Sequence, residues 1–263
     1  MDGVVARLPA RPASSESLPM PAAATADWTL TGLRSVSRCG GLDVSLDLDR
    51  PRAGLAVSAA KPPHGVDHLL GLDLAATCPP SDHWLRGTDI TAVYEPADPR
   101  HLRATAMWRQ HACDAALDGR GAIVAWELIA SAQTSLLDSD PAASVVADVA
   151  ADEVRWLDMA TRSDDWSPLP PAATLPARAT AVLAIRSDGS AVLVAAHPDD
   201  APRLDAAWDR GRLRLCWRLF THPLEKGVLL RSRVLAACGP ATDTTWTARL
   251  LADFHTAPPP LST

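Results

Sequence analysis

Arginine side chains are concentrated in residues 211–234, at a spacing that could bind an anion. The segment reads GRLRLCWRLFTHPLEKGVLLRSRV. Its apolar and polar residues alternate, which predicts two β-strands joined by a turn. One face of the first strand carries Arg212, Arg214, Cys216, Arg218 and Phe220, and the opposite face carries Leu213, Leu215, Trp217 and Leu219. In the second strand, Arg231 and Arg233 share a face with Leu229 and Leu235.

The two strands are predicted to pair as a hairpin across residues 221–227. In that hairpin Arg214 lies opposite Arg233, with Arg231 close by. Like charges that face each other across a strand pair destabilise it, so a counter-charge is expected.

Two sources of counter-charge are open. Acidic side chains from another strand could supply it, namely Glu127 or the row that contains Asp43 and Asp47. A bound anion could supply it instead, because a guanidinium group donates two parallel hydrogen bonds to a carboxylate.

The predicted turn groups an imidazole, a carboxylate and an ammonium, on His222, Glu225 and Lys226. These groups could transfer protons if burial shifted their pKa values. The alternative is a solvated polar turn, in which neighbouring side chains diverge. Lys226 is one of two lysines in the chain, and a catalytic lysine would require a desolvated pocket.

A second polar cluster lies in HWLRGTDITAVYEPADPRHLRATAMWRQH, residues 83–111. Arg86 and Asp89 flank a glycine turn, and Arg103 begins a strand whose alternation places polar residues on one face. His101 and His111 are too far apart along that strand to ligate one metal ion. The sequence therefore predicts no metal site.

The segments RGTDITAVYEP…MWR and HPLEKGVLLRSRV resemble parts of uncharacterised bacterial β-sandwich proteins. The resemblance covers under a third of the chain. It implies a β-sandwich and brings no known activity, ligand or catalytic residue. No P-loop, dinucleotide-binding glycine motif, G-x-S-x-G or HExxH motif occurs, so no cofactor is expected.

Short alternating segments with turn signals at close spacing predict an all-β, antiparallel two-sheet β-sandwich with one C-terminal helix. The predicted strands are 28–36, 42–49, 53–59, 66–74, 89–95, 101–111, 121–133, 153–159, 178–186 and 190–197. Gly40–Gly41 and Asp188–Gly189 are predicted turns. A short helix is expected over residues 201–209, and the C-terminal helix over 243–255 with Asp243 as its cap.

Proline-rich stretches divide the chain. Residues 1–26 have few large apolar side chains, so a disordered arm is expected. A first β-rich region over 27–166 is followed by a loop or linker over 167–176. A second region over 177–256 is expected to continue the same domain, with a tail over 257–263. Whether the two regions form one sandwich or two stays open.

The chain contains nine tryptophans but only one tyrosine and two phenylalanines. Those within strand patterns are expected in the core, because tryptophan is highly buried on average. They are Trp28, Trp108, Trp126, Trp156 and Trp217. Trp84 and Trp166 lie beside loops, where each could stack on a sugar ring or cover an edge of the sandwich.

Composition excludes some functions. The net charge of -6 argues against nucleic-acid binding. Five widely spaced cysteines predict free thiols in a reducing compartment. No apolar run has the length of a membrane span, and the N-terminus lacks the apolar core of a signal peptide, so a cytoplasmic protein without membrane contact is expected.

Three functions are consistent with these features. The first is a module that binds an anionic ligand, such as an acidic carbohydrate, through Arg214, Arg231 and Arg233 with Lys226 at the rim. The second is a structural protein that self-associates, which allows a homo-oligomer. The third is a carbohydrate-active enzyme of β-sandwich type. Its candidate residues are His222, Glu225, Lys226, Arg86, Asp89 and Arg103.

Overall fold

The computed structural model describes residues 28–59, 65–98, 100–111, 114–115, 122–139, 142–158, 165–176, 179–200, 203–220 and 223–257. The expected disordered arm over 1–26 lies outside the described residues, as do residues 258–263 of the predicted tail.

The first sheet contains eight strands within the described residues, and every pair of neighbours is antiparallel. They are β1 (Thr29–Thr31), β2 (Arg34–Cys39), β3 (Leu42–Asp47), β4 (Leu55–Ala59), β5 (Asp67–Leu74), β12 (Ala143–Ala150), β17 (Arg203–Asp209) and β18 (Arg212–Leu219). Their order across the sheet is β1-β2-β3-β4-β5-β12-β18-β17. The β2–β3 hairpin turns at Gly40 and Gly41, both with positive φ, as the glycine pair predicts.

The second sheet contains ten strands within the described residues. They are β6 (Asp82–Arg86), β7 (Asp89–Tyr94), β8 (Arg103–Gln110), β9 (Asp114–Ala115), β10 (Ala122–Gln133), β13 (Glu153–Leu157), β14 (Ser167–Leu169), β15 (Ala181–Ile185), β16 (Ser190–Ala196) and β20 (Leu230–Pro240). Their order is β14-β13-β15-β16-β20-β10-β8-β7-β6, and β9 also pairs with β10. A separate ribbon joins β11 (Asp138–Ser139) to β19 (Leu224–Glu225).

The core lies between the two sheets. Trp108, Trp126 and Trp217 are fully buried there. The indole Nε1 of Trp108 on β8 donates to the carbonyl of Leu70 on β5 at 2.9 Å. The hydroxyl of Tyr94 on β7 donates to the carbonyl of Leu48 at 2.9 Å. The polar tips of these two rings are therefore satisfied by backbone carbonyls across the core, one on β5 and one in the turn after β3. The two-sheet fold is confirmed.

The predicted C-terminal helix is confirmed as α1 (Thr245–Thr256). Its N-cap residue is Thr244 and not the predicted Asp243, which precedes the cap and accepts at Oδ1 from the backbone N–H of Thr245 at 2.9 Å. The buried face of α1, which includes Trp246 and Phe254, packs on the outer face of the ten-stranded sheet, the face turned away from the core. A Cβ at Gly239 would lie 2.7 Å from the Trp246 ring, so glycine is required beneath the helix.

The predicted hairpin over residues 211–234 is wrong. Strand β18 pairs with β12 and β17, whereas β20 pairs with β10 and β16. The two strands thus lie in different sheets. Arg214 has Asp148 and Ala207 as its cross-strand neighbours, and Arg233 has Ile129. The repulsion expected between Arg214 and Arg233 does not arise.

Other local predictions also need correction. The helix expected over residues 201–209 is the edge strand β17. The sequence does not predict the strands β6 and β12 or the two-residue strands β9, β11 and β19, and β14 forms inside the expected loop over 167–176. Strands from before and after that loop enter both sheets, so the two β-rich regions interleave.

Cys39 is disulfide-bonded, so the expectation of five free thiols is wrong. Cys78, Cys216 and Cys238 are free, and Cys113 lies outside the described residues. A cytoplasmic location rested in part on free thiols and stays a prediction. Within the described residues, no helix has the length and apolar character to cross a membrane.

Candidate functional site

A polar cavity of about 320 Å³ lies on the outer face of the ten-stranded sheet. It is formed where β20 begins, where the chain turns after β16, and where α1 ends. Its lining consists of arginine, histidine and aspartate side chains with the last residues of the helix: His197, Asp199, Asp200, Arg231, Arg233, His255, Thr256 and Ala257.

Strand β20 supplies both arginines. Residues two apart on a strand point to the same face, so Arg231 and Arg233 lie on the outer face while Ser232 and Val234 are buried on the other. The Nε of Arg231 donates to Ser131 Oγ on β10 at 3.3 Å. The face assignment within this strand agrees with the alternation in the sequence.

Arg233 is buried, with 4% of its residue surface exposed. Its Nη1 donates to the carbonyl of Ala257 at 3.0 Å and lies 3.9 Å from Glu127 Oε1. Its guanidinium carbon is 5.5 Å from the centre of the Phe254 ring. A buried charge requires a partner of opposite charge. Glu127, one of the two predicted sources of counter-charge, fills this role for Arg233.

His197 is held in one orientation at the floor of the cavity. Its side chain is 5% exposed. Nδ1 accepts from the backbone N–H of Asp199 at 3.3 Å, so Nε2 carries the hydrogen and donates to the His255 carbonyl at 3.4 Å. The ring meets Phe254 edge-on, with centroids 5.4 Å apart.

Burial changes the titration of two groups in the lining. It raises the pKa of the Asp200 carboxyl, although the backbone N–H of Arg233 donates to that carboxylate at 2.6 Å and opposes the shift. Burial also lowers the pKa of His255, and the nearby His197 and Arg233 lower it further. Both shifts favour the uncharged form. The cavity lining thus contains two guanidinium groups, the exposed carboxylate of Asp199 and the partly buried carboxyl group of Asp200.

A row of charged side chains continues from the cavity across the same face. Glu127 lies beside Arg109 in the pairing of β10 with β8, and Arg109 lies beside Asp89 in the pairing of β8 with β7. Arg109 donates two hydrogen bonds to Asp89, at 3.0 and 2.9 Å, which raise the pKa of the guanidinium. The other oxygen of Glu127, Oε2, is 3.4 Å from His111 Nε2.

Arg214 belongs to a different surface, the outer face of the eight-stranded sheet. It lines a wide cavity of about 850 Å³ together with Asp148 and Asp205. These carboxylates already form ion pairs, with Arg212 at 2.8 Å and Arg218 at 2.7 Å. This face of the sheet is thus a surface of arginine–aspartate pairs.

The remaining predicted site residues do not line the cavity with Arg231 and Arg233. Glu225 and Lys226 are exposed at the β19 turn, so the desolvated pocket that a catalytic lysine requires is missing at Lys226. Arg86 is exposed opposite Asp89 across β6 and β7, and Arg103 is 3.7 Å from Glu95 in an exposed pair. His222 lies outside the described residues.

Sequence reasoning missed four residues of the cavity, His197, Asp199, Asp200 and His255. The available signals were the HPDD segment directly after a predicted strand and a histidine in the last turn of the predicted helix. Within the described residues, no group of three or more His, Cys, Asp or Glu side chains is arranged to hold a metal ion.

The structure defines an antiparallel two-sheet β-protein with an arginine-lined cavity beside its C-terminal helix. The chain matches no protein-family model and no curated protein. Among solved structures it is similar to a "Putative aldose 1-epimerase" from Escherichia coli K12, with 10% sequence identity and a TM-score of 0.43. The match covers 82% of this chain and 99% of that chain. A similarity of this degree assigns no activity to this protein.

Proposed function

We propose that the cavity beside α1 binds a small acidic saccharide. Its carboxylate would accept hydrogen bonds from Arg231 and Arg233. The observation that carries the proposal is that two guanidinium groups on one strand face line one cavity, with Arg233 hydrogen-bonded to the Ala257 carbonyl and 3.9 Å from Glu127 Oε1. A guanidinium held in place before binding loses little conformational entropy when it grips a carboxylate.

The other groups of the cavity support a hydroxylated ligand. The carboxylate of Asp199 can accept hydrogen bonds from a ligand, and the arginines can donate them. A saccharide ring presents hydroxyl groups that do both. The volume of about 320 Å³ is at the small end of the range for ligand pockets, which favours a ligand of one sugar ring.

A second candidate function is acid–base catalysis on the same ligand. The observation that favours it is the raised pKa of the Asp200 carboxyl, in a cavity that also holds His197 and His255. Carboxyl groups with raised pKa values and imidazoles are the usual proton donors and acceptors of enzymes. Turnover of an acidic saccharide that is lost in Asp200→Asn would support this function over binding alone.

Calorimetric titration with glucuronate, and with glucose as the neutral match, tests the binding proposal. Arg231→Gln should weaken glucuronate binding about 10-fold or more, since a hydrogen bond to a charged group contributes about 1.5–3 kcal/mol. Arg214→Gln is the matched control, because it removes the same charge from the opposite sheet. Equal affinities for glucuronate and glucose, or equal losses in the two variants, would refute the proposal.

A further inference from the structure

We propose that His111 and Glu127 make this cavity responsive to pH, with protonation of His111 drawing the Glu127 carboxylate away from Arg233 and strengthening anion binding. The inference rests on the proposed function and names how that site is regulated. It depends on a single buried carboxylate that two basic side chains share.

The geometry of Glu127 is that of a group between two partners and fully bonded to neither. Its side chain is 6% exposed. Oε1 is 3.9 Å from Arg233 Nη1, and Oε2 is 3.4 Å from His111 Nε2. Oε1 is buried and has no hydrogen-bond donor among the described residues. A buried acceptor without a donor is costly, so the carboxylate gains from any move that closes one of these contacts.

His111 is placed to close one of them when it gains a proton. Its side chain is 38% exposed at the end of β8, whereas Nε2, the atom that faces Glu127, is buried and has no hydrogen-bond partner among the described residues. Its backbone N–H donates to the Ala125 carbonyl at 2.9 Å, which holds the main chain of His111 beside β10. Imidazole is the side chain whose charge changes between about pH 5 and pH 8. A protonated ring and a buried carboxylate form a charge-assisted hydrogen bond.

The surrounding charges set the direction of the effect. Arg109 on the same strand face opposes protonation of His111, but its two hydrogen bonds to Asp89 offset much of that charge. Arg233 opposes protonation from the cavity side. When His111 takes up a proton, the Glu127 carboxylate compensates less of the positive charge of Arg233. An anion in the cavity is then attracted more strongly by Arg233. By linkage, a bound anion in turn favours the proton on His111.

Two other groups near Arg233 also titrate in the acid range. Burial raises the pKa of Asp200 and lowers that of His255, and His197 lies beside both. Protonation of Asp200 or His255 would also favour an anion, so the pH dependence of the wild-type protein alone does not identify His111. A variant of His111 separates its contribution from theirs.

The experiment is calorimetric titration of the whole protein with glucuronate at about pH 8 and about pH 5.5, on either side of the usual histidine titration. Wild-type affinity should rise about 5-fold or more at the lower pH, in the range of ordinary coupling between sites. His111→Gln should lose most of that rise. His68→Gln, on the outer face of the eight-stranded sheet, should keep it. A full rise in His111→Gln would overturn the inference.

A second measurement does not depend on the ligand. NMR titration of the His111 ring should show its protonation midpoint at lower pH in Glu127→Gln than in wild type, because the variant removes the charge that favours the proton. An unmoved midpoint would overturn the inference. If glucuronate fails to bind at either pH while the midpoint does move, the proposed function fails and the coupled pair stands.

Discussion

Replacement of Arg233 by methionine should destabilise the protein by about 3–5 kcal/mol, since it leaves Glu127 as a buried carboxylate without its guanidinium partner. At 3.9 Å and an effective dielectric constant of about 20, two unit charges attract by about 4 kcal/mol, which sets the scale. The variant also loses the hydrogen bond to the Ala257 carbonyl, a net contribution of about 1 kcal/mol.

Urea denaturation followed by tryptophan fluorescence measures this loss as a lower transition midpoint with an unchanged m-value. A loss of this size corresponds to a fall in Tm of about 6–20 °C for a chain of this length. Arg231→Met is the control on the same strand face. It removes a half-buried arginine and should cost about 1 kcal/mol or less, as exposed ion pairs do.

The double variant Glu127→Gln/Arg233→Met separates charge from packing. With no carboxylate left to compensate, it should be more stable than Arg233→Met alone. The reasoning is refuted if Arg233→Met loses no more stability than Arg231→Met, or if Glu127→Gln in the Arg233→Met background restores nothing.

Asp67→Ala should also lower the free energy of unfolding by about 3–5 kcal/mol in urea denaturation, because its carboxylate, 7% exposed, binds the partly buried Arg186. The exposed-pair control Asp205→Ala should lower it by about 1 kcal/mol or less. Similar losses in the two variants would contradict this prediction. The lowered pKa of His255 means that the folded state binds a proton less readily than the unfolded state. Stability is therefore full above the unfolded pKa, about 6.5, and falls as the pH drops from there towards the folded value. Between about pH 7.5 and about pH 5.5, the free energy of unfolding should fall less in His255→Gln than in the wild-type protein. Equal losses in the two proteins would contradict the assignment of this pH dependence to His255.

The predicted anion site is the feature that differs most between the sequence-based prediction and the structure. Alternation placed Arg231 and Arg233 on one strand face, and Arg212, Arg214 and Arg218 on one face of another strand; both placements agree with the structure. The prediction that these two strands pair in one hairpin, and so bring all the arginines onto one face, is wrong. Strand β18 belongs to the eight-stranded sheet and β20 to the ten-stranded sheet, so the two sets of arginines lie on the opposite outer faces of the sandwich.

Arg231 and Arg233 lie beside residues whose positions cannot be predicted from strand alternation. Glu127 is separated from Arg233 by more than a hundred residues in sequence, and they are brought together by the pairing of β10 with β20. His197 and His255 reach the cavity from the end of β16 and the end of α1. The sequence contains each of these residues but no local signal that they converge.

The sequence by itself determined the class of the fold, most strands, the C-terminal helix and the two glycine turns. These are local properties: a two-residue period in strands, apolar residues spaced for one helical face, and glycines that accept positive φ. It also determined which face of each arginine-bearing strand is polar. Tertiary structure alone decided that residues 203–209 form an edge strand, because pairing with β18 outweighs their weak helical pattern. It alone decided which sheet each strand joins, because antiparallel pairing between distant segments depends on how two complete faces bury each other.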